Sequence, residues 1–156
     1  MRKIFLVIAV FIINSISYSQ DKPNYPLPNE GFKRVDLLLP KLKNQENIQV
    51  EVKFAFEMEL LDCERGSFHL FPNLLIEKFG IGTRRFPYHV IQGEDIEITV
   101  GRNGDCNDVK KIKTIYSDDK IIYNYQSSYA VPFYIPKNWN LVYRVWSTTE
   151  NYTTVK

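Results

Sequence analysis

Ile48-Gln49-Val50-Glu51-Val52-Lys53-Phe54-Ala55-Phe56 alternates along its whole length. Ile48, Val50, Val52, Phe54 and Phe56 fall on one side of an extended chain, and Gln49, Glu51 and Lys53 on the other. A period of two describes a β-strand with one face in a core and one toward water. The strand runs on toward Leu60-Leu61-Asp62-Cys63. Upstream, residues 41–47 form a polar turn region, and residues 32–39 form a strand stopped by Pro40. Pro23, Pro26 and Pro28 make residues 21–28 an extended arm, because proline biases its neighbours away from helix. Downstream, residues 64–73 read as a loop with Gly66 and Pro72, and residues 74–79 as a strand in preference to a helical turn. Gly80, Gly82 and Pro87 punctuate the chain before a strand at 88–91. Residues 94–100 alternate again and extend a strand into an exposed polar loop.

The remainder continues in this manner. Residues 109–116 form a strand, Ser117-Asp118-Asp119-Lys120 a hairpin turn, and residues 121–125 the returning strand. Pro132 places the strand at 131–135 on a sheet edge, where a missing N–H is tolerated. A turn at 136–140 leads to a strand at 141–146, and residues 147–156 are a polar, Thr-rich, β-prone tail. No helix of length is expected. Many short strands separated by turn signals predict an all-β, antiparallel sandwich or barrel.

The 156 residues begin with Arg2 and Lys3, then an unbroken apolar run over residues 4–13, then Ser17-Tyr18-Ser19. That order is a secretory signal peptide, cleaved before Gln20. The apolar run is too short to span the roughly 30 Å of a bilayer core. The mature domain, residues 20–156, is expected in an oxidising compartment, most simply a bacterial periplasm. Loss of Arg2 and Lys3 brings the 20 basic residues level with the 18 acidic ones, so no broad basic field remains for nucleic acid or anionic lipid. Lys110-Lys111-Ile112-Lys113 reads as a solvated strand face or turn. Cys63 and Cys106 are the two cysteines, and in that compartment they are expected to pair. Such a crosslink stabilises by roughly 4 kcal/mol in the chain-entropy model. It also tethers Gly101-Arg102-Asn103-Gly104-Asp105, a polar stretch exposed by composition.

Catalytic chemistry is not apparent. His69 and His89 stand at no metal-ligand spacing from each other or from a cysteine. Ser67 lies in no nucleophile elbow, and Glu94, Asp95 and Glu97 alternate as a solvated face would. No phosphate-binding glycine loop is present, and no cofactor or metal is implied. The expectation is a protein that works through presented surfaces, not an enzyme.

Several landmarks stand in a familiar order. Tyr25-Pro26 precedes Gly31-Phe32-Lys33-Arg34, the long strand ends in Asp62-Cys63, and Cys106 follows an exposed loop. Pro132-Phe133-Tyr134-Ile135-Pro136-Lys137-Asn138 comes next, and then Tyr143-Arg144-Val145-Trp146 close to the end. In this the chain resembles ecotin, the bacterial periplasmic inhibitor of trypsin-fold serine proteases. Each motif is weak alone; order, spacing and the cysteine pair carry the likeness across the whole mature chain.

The resemblance implies a sandwich-like or barrel-like protomer and a homodimer formed by pairing residues 143–156, with Tyr143, Arg144, Val145 and Trp146 in the interface. It implies serine proteases of the trypsin, chymotrypsin and elastase type as partners. One protomer would insert a substrate-like loop, Gly101, Arg102, Asn103, Gly104 and Asp105, while its partner touches the same protease through a second surface. That surface corresponds to Thr83, Arg84 and Arg85 together with Tyr125, Gln126, Ser127 and Ser128. Counting back from Cys106 places Asn103 where the family has a pocket-entering Met, with Arg102 one residue upstream. Spacing favours Asn103; chemistry favours Arg102, which could pair with a carboxylate at the pocket base. The alternative function is a secreted β-domain that binds a non-protease partner without inhibition, since Asn103-Gly104 also makes an ordinary hairpin tip.

Overall fold

The computed structural model describes residues 24–80, 86–107 and 109–147. The expected signal peptide and the tail beyond Ser147 lie outside the described residues, as do Thr83, Arg84 and Arg85. Among the described residues there are ten strands and no helix: β1 Phe32–Leu37, β2 Ile48–Leu61, β3 Glu64–Leu70, β4 Leu75–Phe79, β5 Pro87–Ile91, β6 Ile96–Arg102, β7 Lys110–Ser117, β8 Ile121–Asn124, β9 Val131–Pro136 and β10 Asn140–Ser147. One sheet has the order β1-β9-β5-β4; the other runs β10-β2-β7-β3-β6, with β8 also paired to β2. Most ladders are antiparallel, while β3–β7 and β5–β9 are short parallel pairings. Among the described residues both sheets have free ends, so the all-β expectation resolves into an open sandwich.

The alternation of β2 builds the core. Val50, Val52 and Phe54 are fully enclosed, and Phe54 meets Phe133 of the facing sheet at 6.4 Å between ring centres. Trp139, in the turn joining β9 to β10, crosses between the sheets and packs on Phe54, Phe56 and Phe68 at 6.1, 5.8 and 5.1 Å. The proline-rich arm is laid along the first sheet. The Tyr134 hydroxyl donates to the Pro26 carbonyl at 2.6 Å, and Tyr25 rests edge-on to Tyr88 beneath the Arg34 guanidinium.

Three expectations need correction. Residues 64–70 are not loop but strand β3, fully registered with β6 from Glu64↔Arg102 to Leu70↔Ile96. Gly66, read as a breaker, is required by packing: a Cβ there would lie 2.8 Å from Ile115 Cγ2. Ser117-Asp118-Asp119-Lys120 does not reverse the chain. β7 and β8 both run antiparallel to β2, against residues 55–61 and 49–52 in turn, and the four residues are a sidestep between them. Finally, β9 is interior, between β1 and β5. Its prolines are accommodated because β5 pairs there with Phe133 and Tyr134 alone, leaving Pro132 and Pro136 outside that ladder.

Candidate functional site

Sequence dictates how the chain leaves β6. Ile96, Ile98 and Val100 alternate with Glu97 and Thr99, and the pairing with β3 carries the extended backbone as far as Arg102. β6 is the last strand of its sheet, so its other backbone edge faces outward. At Gly104 the chain turns, with φ at +80°, a left-handed conformation that glycine adopts without steric cost. Gly101, Arg102, Asn103, Gly104 and Asp105 are all exposed.

Four anchors hold this loop to the β2–β3 turn. The Asn103 N–H donates to the Cys63 carbonyl at 3.1 Å. Cys106 is disulfide-bonded to Cys63, with Cα atoms 5.2 Å apart, as expected from the compartment. The Asp62 N–H donates to the Val109 carbonyl at 2.9 Å, which ties down the far end. Arg102 Nε donates to Glu64 Oε1 at 3.1 Å.

The turn that receives these anchors is itself rigid. Lys113 Nζ donates to the carbonyls of Leu61, Asp62 and Glu64 at 3.0, 2.6 and 2.8 Å. Glu64 Oε2 accepts the Leu61 N–H at 2.9 Å, and Lys111 pairs with Asp62 at 2.8 Å. The Leu61 amide, opposed by desolvation and helped by Arg102, holds the Glu64 carboxyl below its ordinary value. Lys111 does the same for Asp62. Lys113 was read from sequence only as part of a solvated cluster. The signal was available in register: Ile115 faces Phe56 and Lys113 faces Met58, so Lys113 continues the core-facing side of β7.

Residues 125–128, the described half of the expected second surface, are at the other end of β2. Tyr125 is buried, its N–H donating to the Ile48 carbonyl at 2.8 Å and its hydroxyl to the Pro40 carbonyl at 2.6 Å. Of its neighbours, Gln126 and Ser127 are half-buried and Ser128 is exposed: Ser127 accepts from Gln45 at 2.9 Å, and the Gln126 amide closes the turn by donating to the Tyr129 carbonyl at 3.0 Å. Phe86, which follows the undescribed Arg85, packs edge-on to Tyr129 at 5.0 Å. At the sheet's other edge, β10 leaves Tyr143, Val145 and Trp146 between 41% and 48% exposed. Arg144 pairs with the buried Glu51 at 2.9 Å and keeps that carboxyl below its ordinary value.

A nucleophile–base relay is not assembled at Ser67. Its hydroxyl donates to Asp118 Oδ2 at 2.8 Å, and His69 Nε2 approaches the same oxygen at 3.2 Å. Both groups converge on the carboxylate, whereas a relay needs the hydroxyl proton on the imidazole.

The ecotin family model matches residues 21–148, which spans every strand described above. The chain belongs to the ecotin family. Curated ecotin relatives agree. An ecotin-like protein of Methylobacillus flagellatus is 25% identical over 138 residues, covering 86% of this chain and 81% of the relative. An ecotin of Serratia proteamaculans is 28% identical over 129 residues, covering 81% of this chain and 72% of the relative. Ecotins are protease inhibitors of the periplasm or secreted space, not enzymes, and this ecotin-family chain takes that general function with serine proteases as the partner class.

Proposed function

We propose that this chain inhibits trypsin-fold proteases of the trypsin, chymotrypsin and elastase type, by offering residues 101–105 as a substrate-like segment. The observation that carries the proposal is β6, an edge strand that runs extended to Arg102 and enters a loop crosslinked through Cys106. A bare strand edge has backbone donors and acceptors ready to pair with an extended strand of a protease. A loop already pinned at Asn103, Cys106 and Val109 loses little conformational freedom on binding. After cleavage inside the loop, the disulfide keeps the new end in place, so that religation competes with release.

The dimer that the ecotin resemblance implies is supported by the spacing of the two surfaces. β2, Ile48–Leu61, separates the loop end from the Gln126 end by about 40 Å at the rise of a strand. Contact of both surfaces with one protease is then best made by two protomers, one supplying the loop and the other Arg84, Arg85 and residues 126–128. The free edge of β10, with apolar Tyr143, Val145 and Trp146 beside it, supports pairing between protomers there. Two contacts held by one dimer raise affinity through effective concentration. Export by residues 1–19 brings the chain to the compartment where the disulfide forms.

A second reading, a β-domain that binds a non-protease partner, is favoured by the turn at Gly104, which ends the extended run two residues past Arg102. Titration of trypsin, chymotrypsin and elastase with the mature protein separates the two. Inhibition predicts stoichiometric loss of at least one activity. Full activity of all three in the presence of excess protein would sink the inhibitory proposal.

A further inference from the structure

We propose that Glu64 sets which loop residue meets the specificity pocket of a protease: it holds Arg102 against β3 and so leaves Asn103 as the side chain presented. The proposal rests on the inhibitory reading above. Glu64 and Arg102 stand opposite one another in the β3–β6 ladder, and their side chains share the face that carries Gly66 and Phe68 into the core. Arg102 therefore starts from the same face as Glu64, at the open edge of the sheet, where Val100 beside it is 45% exposed. Its Nε donates to Glu64 Oε1 at 3.1 Å.

Glu64 is the fixed member of the pair. Its side chain is 14% exposed, against 65% for Arg102. Its second oxygen is held by the Leu61 N–H, and its own carbonyl by Lys113. The carboxylate cannot follow the guanidinium outward without breaking these bonds. Charge-assisted hydrogen bonds of this kind are stronger than neutral ones. Asn103 is placed differently: its backbone is tied to Cys63 while its residue is exposed at the crest.

An acidic pocket, as in trypsin, would offer Arg102 a second carboxylate, and Glu64 competes with it. A pocket that takes a short polar side chain meets no such competition. Glu64 is on this account a specificity-determining residue that disfavours one protease class, which is as effective as adding contacts for another.

The test compares wild type, Glu64→Gln, Arg102→Ala and the double variant against trypsin, chymotrypsin and elastase. Glutamine keeps an oxygen for the Leu61 N–H and removes the charge. Trypsin inhibition by Glu64→Gln should tighten about tenfold, the size expected for one charge-assisted hydrogen bond. Inhibition of chymotrypsin and elastase should not move, and the gain should vanish in the double variant. An equal change for all three proteases, or no change for trypsin, overturns the proposal and makes Glu64 a brace for the loop. If wild type inhibits none of them, the inhibitory reading has failed, and the rate at which trypsin cuts the Arg102–Asn103 bond still reports the clamp. Faster cutting of Glu64→Gln sustains it, and an unchanged rate ends it.

Discussion

At the scale of single residues, the loop depends on few atoms. Gly104 sits at φ +80°, and a Cβ there would meet nothing within 4 Å, so its smallness serves backbone conformation and not packing. Gly104→Ala should lower stability by about 1 kcal/mol through that conformation alone and should weaken any protease inhibition more than it weakens the fold. Thermal melts beside inhibition titrations check this; an unchanged inhibition constant would show that the loop tolerates another backbone path. Lys113 shows what sequence conceals. A run of lysines reads as solvated, yet one of them gathers three carbonyls of the β2–β3 turn. Nothing in residue type separates it from Lys110, which pairs with Glu59 on the surface. Pairing register does, and register exists only once the strands are assembled.

At the scale of elements, strand existence was largely legible, because alternation is a local property. β2, β4, β5, β6, β7 and β10 stand where periodicity places them, to within two or three residues. Connections were less legible. Ser117-Asp118-Asp119-Lys120 has the composition of a turn, but those side chains serve a broken ladder. Ser117 Oγ accepts the Phe54 N–H at 3.0 Å, and Asp119 accepts the Leu70 N–H at 2.7 Å. The same polar groups that make a turn plausible allow β7 to step sideways into β8. Ser117→Ala would strand the buried Phe54 N–H and should cost roughly 1–3 kcal/mol, with Ser117→Thr recovering part of it. Denaturant midpoints of the two variants decide this; equal loss in both would mean crowding, not the hydrogen bond, controls the site. β3 was missed because Gly66 breaks strands by composition while here it admits Ile115. Gly66→Ala should cost roughly 1–3 kcal/mol through overpacking.

At the scale of the whole molecule, one sheet ends in β6 on one side and β10 on the other, and on the proposed function β6 would face a protease and β10 a second protomer. The sequence led to the expectation of a protein that acts through surfaces, and the family likeness named the kind of partner. It could not show Tyr125 turned into the core, since a tyrosine in a polar loop looks exposed until its hydroxyl finds Pro40. The fold also carries a pH dependence. His89 is buried against Phe133 with Tyr123 bonded to its Nε2 at 2.7 Å, and burial lowers its pKa from 6.5 to about 4. The unfolded chain takes up this proton below pH 6.5 and the folded one does not until about 4, so stability is lost as pH falls across that window. The loss should be on the order of 3 kcal/mol and should shrink in His89→Gln. Denaturation at a series of pH values measures it, and an unchanged slope in the variant would assign the effect elsewhere. The central claim, that residues 101–105 enter a protease active site, is tested most directly by finding which bond an inhibited protease cuts. A single cut between Arg102 and Asp105 is expected, with the two fragments separating only after Cys63–Cys106 is reduced. Inhibition accompanied by cleavage elsewhere, or by none in this loop when cuts are trapped at acid pH, would contradict it.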